Sequence, residues 1–107
     1  MDKQTIKEIV HETIEELKRG GVLRTENELA YAEISAVLFT YYADGATDDR
    51  VKNALKEVEK DTYFRIVPLY FDYNYTIEKI AERLHVEVST ITRNKKRLCL
   101  AIYNALQ

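Results

Sequence analysis

Residues Thr76 to Arg97 read TIEKIAERLHVEVSTITRNKKR, and the spacing of their apolar side chains decides how the chain folds. Ile77, Ile80 and Leu84 recur at three- and four-residue intervals, which sets them on one face of a helix over 77–84. Thr76 stands where a helix N-cap belongs, and Ala81 is small enough to let a second helix cross closely. His85, Val86 and Glu87 form a turn, with Val86 plugging it from inside. A second helix then runs to about Leu106, with Ile91 and Leu98 on its inner face. Taking Ile91 as the buried direction, Arg93 points about 200° away, Ser89 about 160° and Lys96 about 140°. Thr92 and Arg97 flank that outer face.

Two short helices, a tight turn, a small crossing residue and a basic outer face make the pattern of a helix-turn-helix. That unit lays its second helix in the major groove of DNA. The expected DNA-binding residues are Ser89, Thr90, Thr92, Arg93, Lys95, Lys96 and Arg97. Arg93 is the candidate base reader, because a guanidinium bonds bidentately to the edge of guanine, while Thr and Ser reach bases or phosphates. Lys95, Lys96 and Arg97 are better placed for the phosphate backbone, adding affinity and salt dependence without sequence information. Asn94 has two readings, as a reader of adenine or as a capping or packing residue.

Charge is divided in the same sense. The chain has a net charge of −2, but residues 76–107 carry six Lys/Arg against three Asp/Glu, and residues 1–75 carry ten against fifteen. Attraction to phosphate acts over about 10 Å, so the basic tail counts for more than the total. At 107 residues the chain fits one domain, or two small helical halves sharing a core. Hydrophobic content of 46% argues against disorder, and no apolar run approaches the roughly 18 residues that span a bilayer. The opening MDKQTIKEIVHETIEEL carries charges through its apolar positions and does not read as a signal peptide. Cys99 is the single cysteine, so no internal disulfide forms, and a reducing cytoplasm is the expected location.

Outward from this stretch the pattern stays helical. A helix over about Lys3 to Arg19 has the stripe Ile6, Ile9, Val10, Thr13, Ile14 and Leu17, and Gly20-Gly21 stops it. A capping box, Thr25 with Glu28, opens a second helix that reaches about Ala43, with Leu29, Ala32, Ala36, Val37, Leu38, Phe39 and Tyr41 as expected core. Asp44-Gly45 ends it. Thr47 or Asp48 caps a third helix over about 48–60, with Val51, Ala54, Leu55 and Val58 on its apolar face. The fourth, about Thr62 to Asp72, is rich in aromatic residues and contains Pro68, which predicts a kink there or a true start near Val67. No segment alternates with period two. The expected fold is all-α: a bundle of about six helices with a C-terminal helix-turn-helix, residues 1–60 forming a core, dimerisation or partner region and residues 61–107 the DNA-binding region.

The stretch LYFDYNYTIEKIAERLHVEVSTITRNKKRL, Leu69 to Leu98, resembles region 4 of bacterial sigma factors. It is still more similar to small phage and mobile-element regulators of Gram-positive bacteria that borrow that region. The positions that carry the resemblance are Tyr70-Phe71-Asp72, Thr76, Ile80-Ala81, Leu84, Val86 and Ser89-Thr90-Ile91. His85 stands where the family has glycine, Glu87 where it has a serine cap, and Pro68 is unusual in the preceding helix. The resemblance covers about a third of the chain and implies transcriptional control through the final helix, and a surface for RNA polymerase.

Blander readings apply elsewhere. His85 reads as a turn residue, His11 as solvent-facing and Cys99 as a small core residue. Tyr31, Tyr41, Tyr42, Tyr63 and Tyr70 fall at core spacing and read as packing. There is no phosphate loop, no paired metal ligands and no nucleophile beside a base, so neither an enzyme nor a cofactor is expected. Beyond Arg97 the last helix is apolar almost all round, with Leu100 and Tyr103 on the side of Arg93 and Lys96. Either earlier helices or a second copy of the chain must cover it, which makes a homodimer an expectation to weigh. The rival function is a helical adaptor that binds RNA polymerase or a sigma factor without touching DNA.

Overall fold

The computed structural model describes residues 26–107. These form five helices: α1 (Glu26–Ala43), α2 (Asp49–Val58), α3 (Ile66–Phe71), α4 (Ile77–Leu84) and α5 (Val88–Ala105). There is no strand among the described residues, as the all-α expectation requires. The helix expected over 3–19, Gly20-Gly21, His11 and Thr25 of the capping box lie outside the described residues.

Local chemistry sets each boundary. Gly45, at φ +84°, ends α1, and the Gly45 and Ala46 N–H groups reach back to the carbonyls of Tyr42 and Tyr41. Asp48 rather than Thr47 caps α2, its carboxylate accepting from the N–H groups of Arg50 at 2.9 Å and Val51 at 3.4 Å. Residues 62–65 are turns, not helix, so the span expected from Thr62 is corrected to Ile66–Phe71. Pro68 explains the difference. It has no N–H to give to the Phe64 carbonyl, which accepts from Val67 instead at 2.9 Å. Placed in the first turn of α3, the proline costs no helical hydrogen bond.

The Thr76 hydroxyl caps α4 by accepting from the Lys79 N–H at 3.1 Å. At the other end His85 takes the left-handed conformation, φ 58° and ψ 44°. Its N–H donates to the Glu82 carbonyl and the Val86 N–H to that of Ala81, the paired bonds that usually close a helix on glycine. Glu87 precedes α5 and gives no side-chain cap.

α5 packs against all four other helices. Its N-terminal part enters a small cluster in which Ile66 and Leu69 of α3, Ile80 and Ala81 of α4 and Ile91 are buried, with Ile77, Leu84 and Val86 at the edge. Its C-terminal part places Leu98, Cys99 and Ile102 among Ile34, Leu38 and Tyr41 of α1, Val51, Ala54 and Leu55 of α2, and Val67 and Phe71 of α3. Residues 61–107 therefore share their larger cluster with residues 34–55. Helices α1, α2 and α3 cover Leu98, Cys99 and Ile102 of the apolar end of α5, with Tyr103 and Leu106 packed at the edge of the same cluster and Leu100 in neither cluster.

The core expected on α1 needs correction. Ala30, Ile34, Leu38, Thr40 and Tyr41 are the buried residues, while Phe39 is 39% exposed and Leu29, Ala32, Ala36 and Val37 are half-buried. α1 is apolar on nearly every side, so periodicity alone selects no single inward face. The five tyrosines read as packing are buried or lie against the larger cluster. Among the described residues no helix is long and apolar enough to cross a membrane.

The α4–α5 turn makes a direct test. A left-handed L-residue costs roughly 1–2 kcal/mol, and glycine returns part of that through its freer unfolded chain. His85→Gly is expected to stabilise the protein by about 0.5–1 kcal/mol, and Glu87→Ser by a similar amount through a restored cap. Urea denaturation reads both. An unchanged midpoint for His85→Gly would show that the turn carries no strain.

Candidate functional site

Ile91 and Leu98 are both wholly buried, and they fix the rotation of α5 about its axis. With that rotation set, Val88, Ser89, Thr92, Arg93 and Lys96 form one exposed stripe along the first half of the helix. Val88, an apolar side chain 44% exposed beside Ser89 and Thr92, was not among the expected site residues. Its position, about 60° from Ile91 on the helical wheel, gave little reason to expect it outside.

The three cations expected to touch phosphate part company. Lys96 is exposed. Lys95 turns inward, its ammonium 3.7 Å from the centre of the Tyr70 ring and 5.5 Å from that of Tyr31. Burial disfavours its charge, but hydrogen bonding and attraction from Tyr31 and Tyr70 outweigh this and hold its pKa above the usual lysine value. Lys95 thus ties α5 to α1 and α3. The signal was in the sequence, since Lys95 lies only about 40° round the wheel from Ile91.

Arg97 is occupied differently. Its two terminal nitrogens donate to both carboxylate oxygens of Asp61, at 2.9 and 3.0 Å. Its Nε donates to Asn94 Oδ1 at 3.1 Å. Asp61 Oδ1 also accepts from the Tyr63 N–H, so the aspartate is fixed by its own turn. The Arg97 hydrogen bonds, then the Tyr63 N–H, hold the Asp61 carboxyl below the usual carboxylate range. Asn94 resolves toward packing: it is 8% exposed, and its Nδ2 donates to the Thr90 carbonyl at 2.8 Å. Thr90 is half-buried, with its carbonyl engaged by that bond. Asp61 is 36 residues from Arg97, a pairing that no local spacing announces.

Of the expected residues, then, the fold brings Ser89, Thr92, Arg93 and Lys96 onto one exposed face, gives the side chains of Lys95 and Arg97 partners within the chain, and leaves Thr90 half-buried. Among the described residues Arg93 and Lys96 have no ion pair. Two more cations, Lys79 and Arg83 of α4, lie over the ring of Tyr75 at 4.3 and 5.8 Å and remain exposed. Cys99 is buried beneath the helix, which pushes its thiol up to about 12, so it stays protonated and unreactive at neutral pH. No group of acidic, histidine or cysteine side chains among the described residues is arranged to hold a metal ion.

No family model matches the chain, and no curated protein or solved structure matches it.

The Asp61–Arg97 pair predicts a pH dependence whose sign is set by the lowered carboxyl pKa. Such a group adds stability above its unfolded value, about 3.9, and loses it as pH falls through the folded one. The stability gap between wild type and Asp61→Asn is expected to be about 0.2–1 kcal/mol, the range of solvent-exposed pairs. It should hold flat from pH 7 to about 5 and close below about pH 4, as read by denaturation at each pH. A gap unchanged at pH 3 would exclude the ion pair as its source.

Proposed function

We propose that this protein is a sequence-specific DNA-binding regulator of transcription, in which α4 and α5 form a helix-turn-helix and α5 enters the major groove. The observation that carries this reading is the exposed stripe Val88, Ser89, Thr92, Arg93 and Lys96, on a helix whose opposite face is anchored by Ile91 and Leu98. Each side chain has a task that DNA can meet. Arg93 suits the O6 and N7 acceptors of guanine, Ser89 and Thr92 suit base edges or phosphates, and Val88 suits a thymine methyl group. Lys96 suits the backbone.

The resemblance of Leu69–Leu98 to region 4 of sigma factors supports the same reading and adds RNA polymerase as a second partner. Two details bear on that resemblance. Thr76 acts as the cap that the pattern wants, and His85 adopts the left-handed geometry for which the pattern uses glycine. The phage or mobile-element setting rests on the resemblance alone.

Fluorescence anisotropy of a labelled duplex tests the proposal, with wild type and Arg93→Ala/Lys96→Ala between about 50 and 200 mM salt. Micromolar binding that weakens with salt is expected, with a slope shallower in the variant by up to about 0.9 for each phosphate it no longer neutralises. Wild type that fails to bind at the lowest salt would instead favour an adaptor that meets polymerase or a sigma factor through protein surfaces.

A further inference from the structure

The Asp61–Arg97 contact takes on a meaning beyond stability only on the reading that α5 meets DNA. Arg97 sits at the edge of the exposed stripe, about 100° round the helix from Lys96, with its side chain 49% exposed. A cation there would normally be free to take a phosphate. Instead its guanidinium faces a carboxylate in the two-pronged geometry that a phosphate would also use. The third contact, from Nε to Asn94, keeps the fork aimed at Asp61. Asp61 is held in turn by the Tyr63 N–H, on the turn that leads into α3.

We infer that Asp61 is a built-in competitor for DNA phosphate, which withholds Arg97 from the nucleic acid and trims the sequence-independent part of binding. Neutralising phosphates releases counterions whatever the sequence, so each free cation raises affinity for all DNA alike. Base contacts discriminate; phosphate contacts do not. Occupying Arg97 internally leaves Arg93 and Lys96 as the free cations of the α5 stripe, and so lowers the background against which a base-reading arginine has to act. Binding through Arg97 would require phosphate to displace a carboxylate already in place. That exchange gains little in hydrogen bonding, because one charge-assisted pair replaces another.

The test is a double-mutant cycle on DNA affinity, using anisotropy with a duplex of arbitrary sequence and the full chain. Asp61→Asn keeps the oxygen that accepts from the Tyr63 N–H but removes the charge that holds Arg97. It is expected to tighten binding at about 0.1 M salt by roughly two- to fivefold, the most that an exposed ion pair can withhold, and to steepen the salt slope by about 0.9, the yield of one added phosphate contact. Removing one negative charge would also tighten binding in a general way, so the decisive reading is the coupling. Arg97→Ala should cost at least about threefold more in the Asp61→Asn background than in wild type, which is the fall that a slope of 0.9 gives across 50 to 200 mM salt. Asp61→Ser, whose hydroxyl can also take the Tyr63 N–H, repeats the cycle if the asparagine variant melts too low to assay. Equal losses in the two backgrounds, with wild type binding DNA, would overturn the inference alone. No binding by wild type or by either Asp61 variant would overturn the reading beneath it as well.

Discussion

Everything in the described fold depends on the rotation of α5 about its own axis. A helix turns about 100° per residue, so once Ile91, Leu98 and Ile102 are buried, every other side chain on it has its direction assigned. Those three residues are buried in two different clusters, one built with α3 and α4 and the other with α1, α2 and α3. A rotation that exposed Ile91 would also pull Leu98 and Ile102 out of the larger cluster. Losing wholly buried aliphatic side chains costs about 2–5 kcal/mol each, so the rotation is strongly held. The exposed stripe is a consequence of that burial.

The same geometry sorts the basic run Lys95, Lys96 and Arg97, which in sequence is one undivided patch. Successive residues diverge by about 100°, so three adjacent cations cannot share a face. Lys95 lands near the core and is accommodated by the rings of Tyr70 and Tyr31, where an ammonium keeps its charge at a half-buried site. Lys96 lands in solvent. Arg97 lands on the far edge, where the turn before α3 supplies Asp61. A charge count over this segment therefore overstates the positive field that a partner would meet on the outer face.

Legibility in the sequence tracks which forces are local. Helix ends governed by one or two residues were legible, Thr76 as a cap and Gly45 as a stop, while Pro68 left a kink and a late start both open and the late start is what α3 shows. The inner face of α4 and of the first half of α5 was legible because the apolar residues there are sparse and periodic. α1 was not, because with apolar groups on nearly all sides the choice of Ile34 over Phe39 is made by the neighbours it meets. In the candidate site, Ser89, Thr92, Arg93 and Lys96 followed from periodicity. Lys95 could have been excluded by the same arithmetic. The engagement of Arg97 could not, because its partner comes from 36 residues away through the packing of the turn before α3 on α5.

The turn between α4 and α5 shows how the two clusters and the stripe are linked. Its geometry is closed by backbone bonds from His85 and Val86 and by Val86 packing inward, with neither the glycine nor the serine that would lower its energy. Local preference is unfavourable at two of its three residues. The turn still forms, because Ile80 and Ala81 on one side and Ile91 on the other are buried together and leave the chain only that short path between them. Tertiary burial there outweighs about 1–2 kcal/mol of local cost. The orientation of α5 relative to α4 is thus set by the small cluster, and a change that loosened Ile80 or Ile91 would act on the exposed stripe and, through Leu98 and Ile102 on the same helix, on the larger core together.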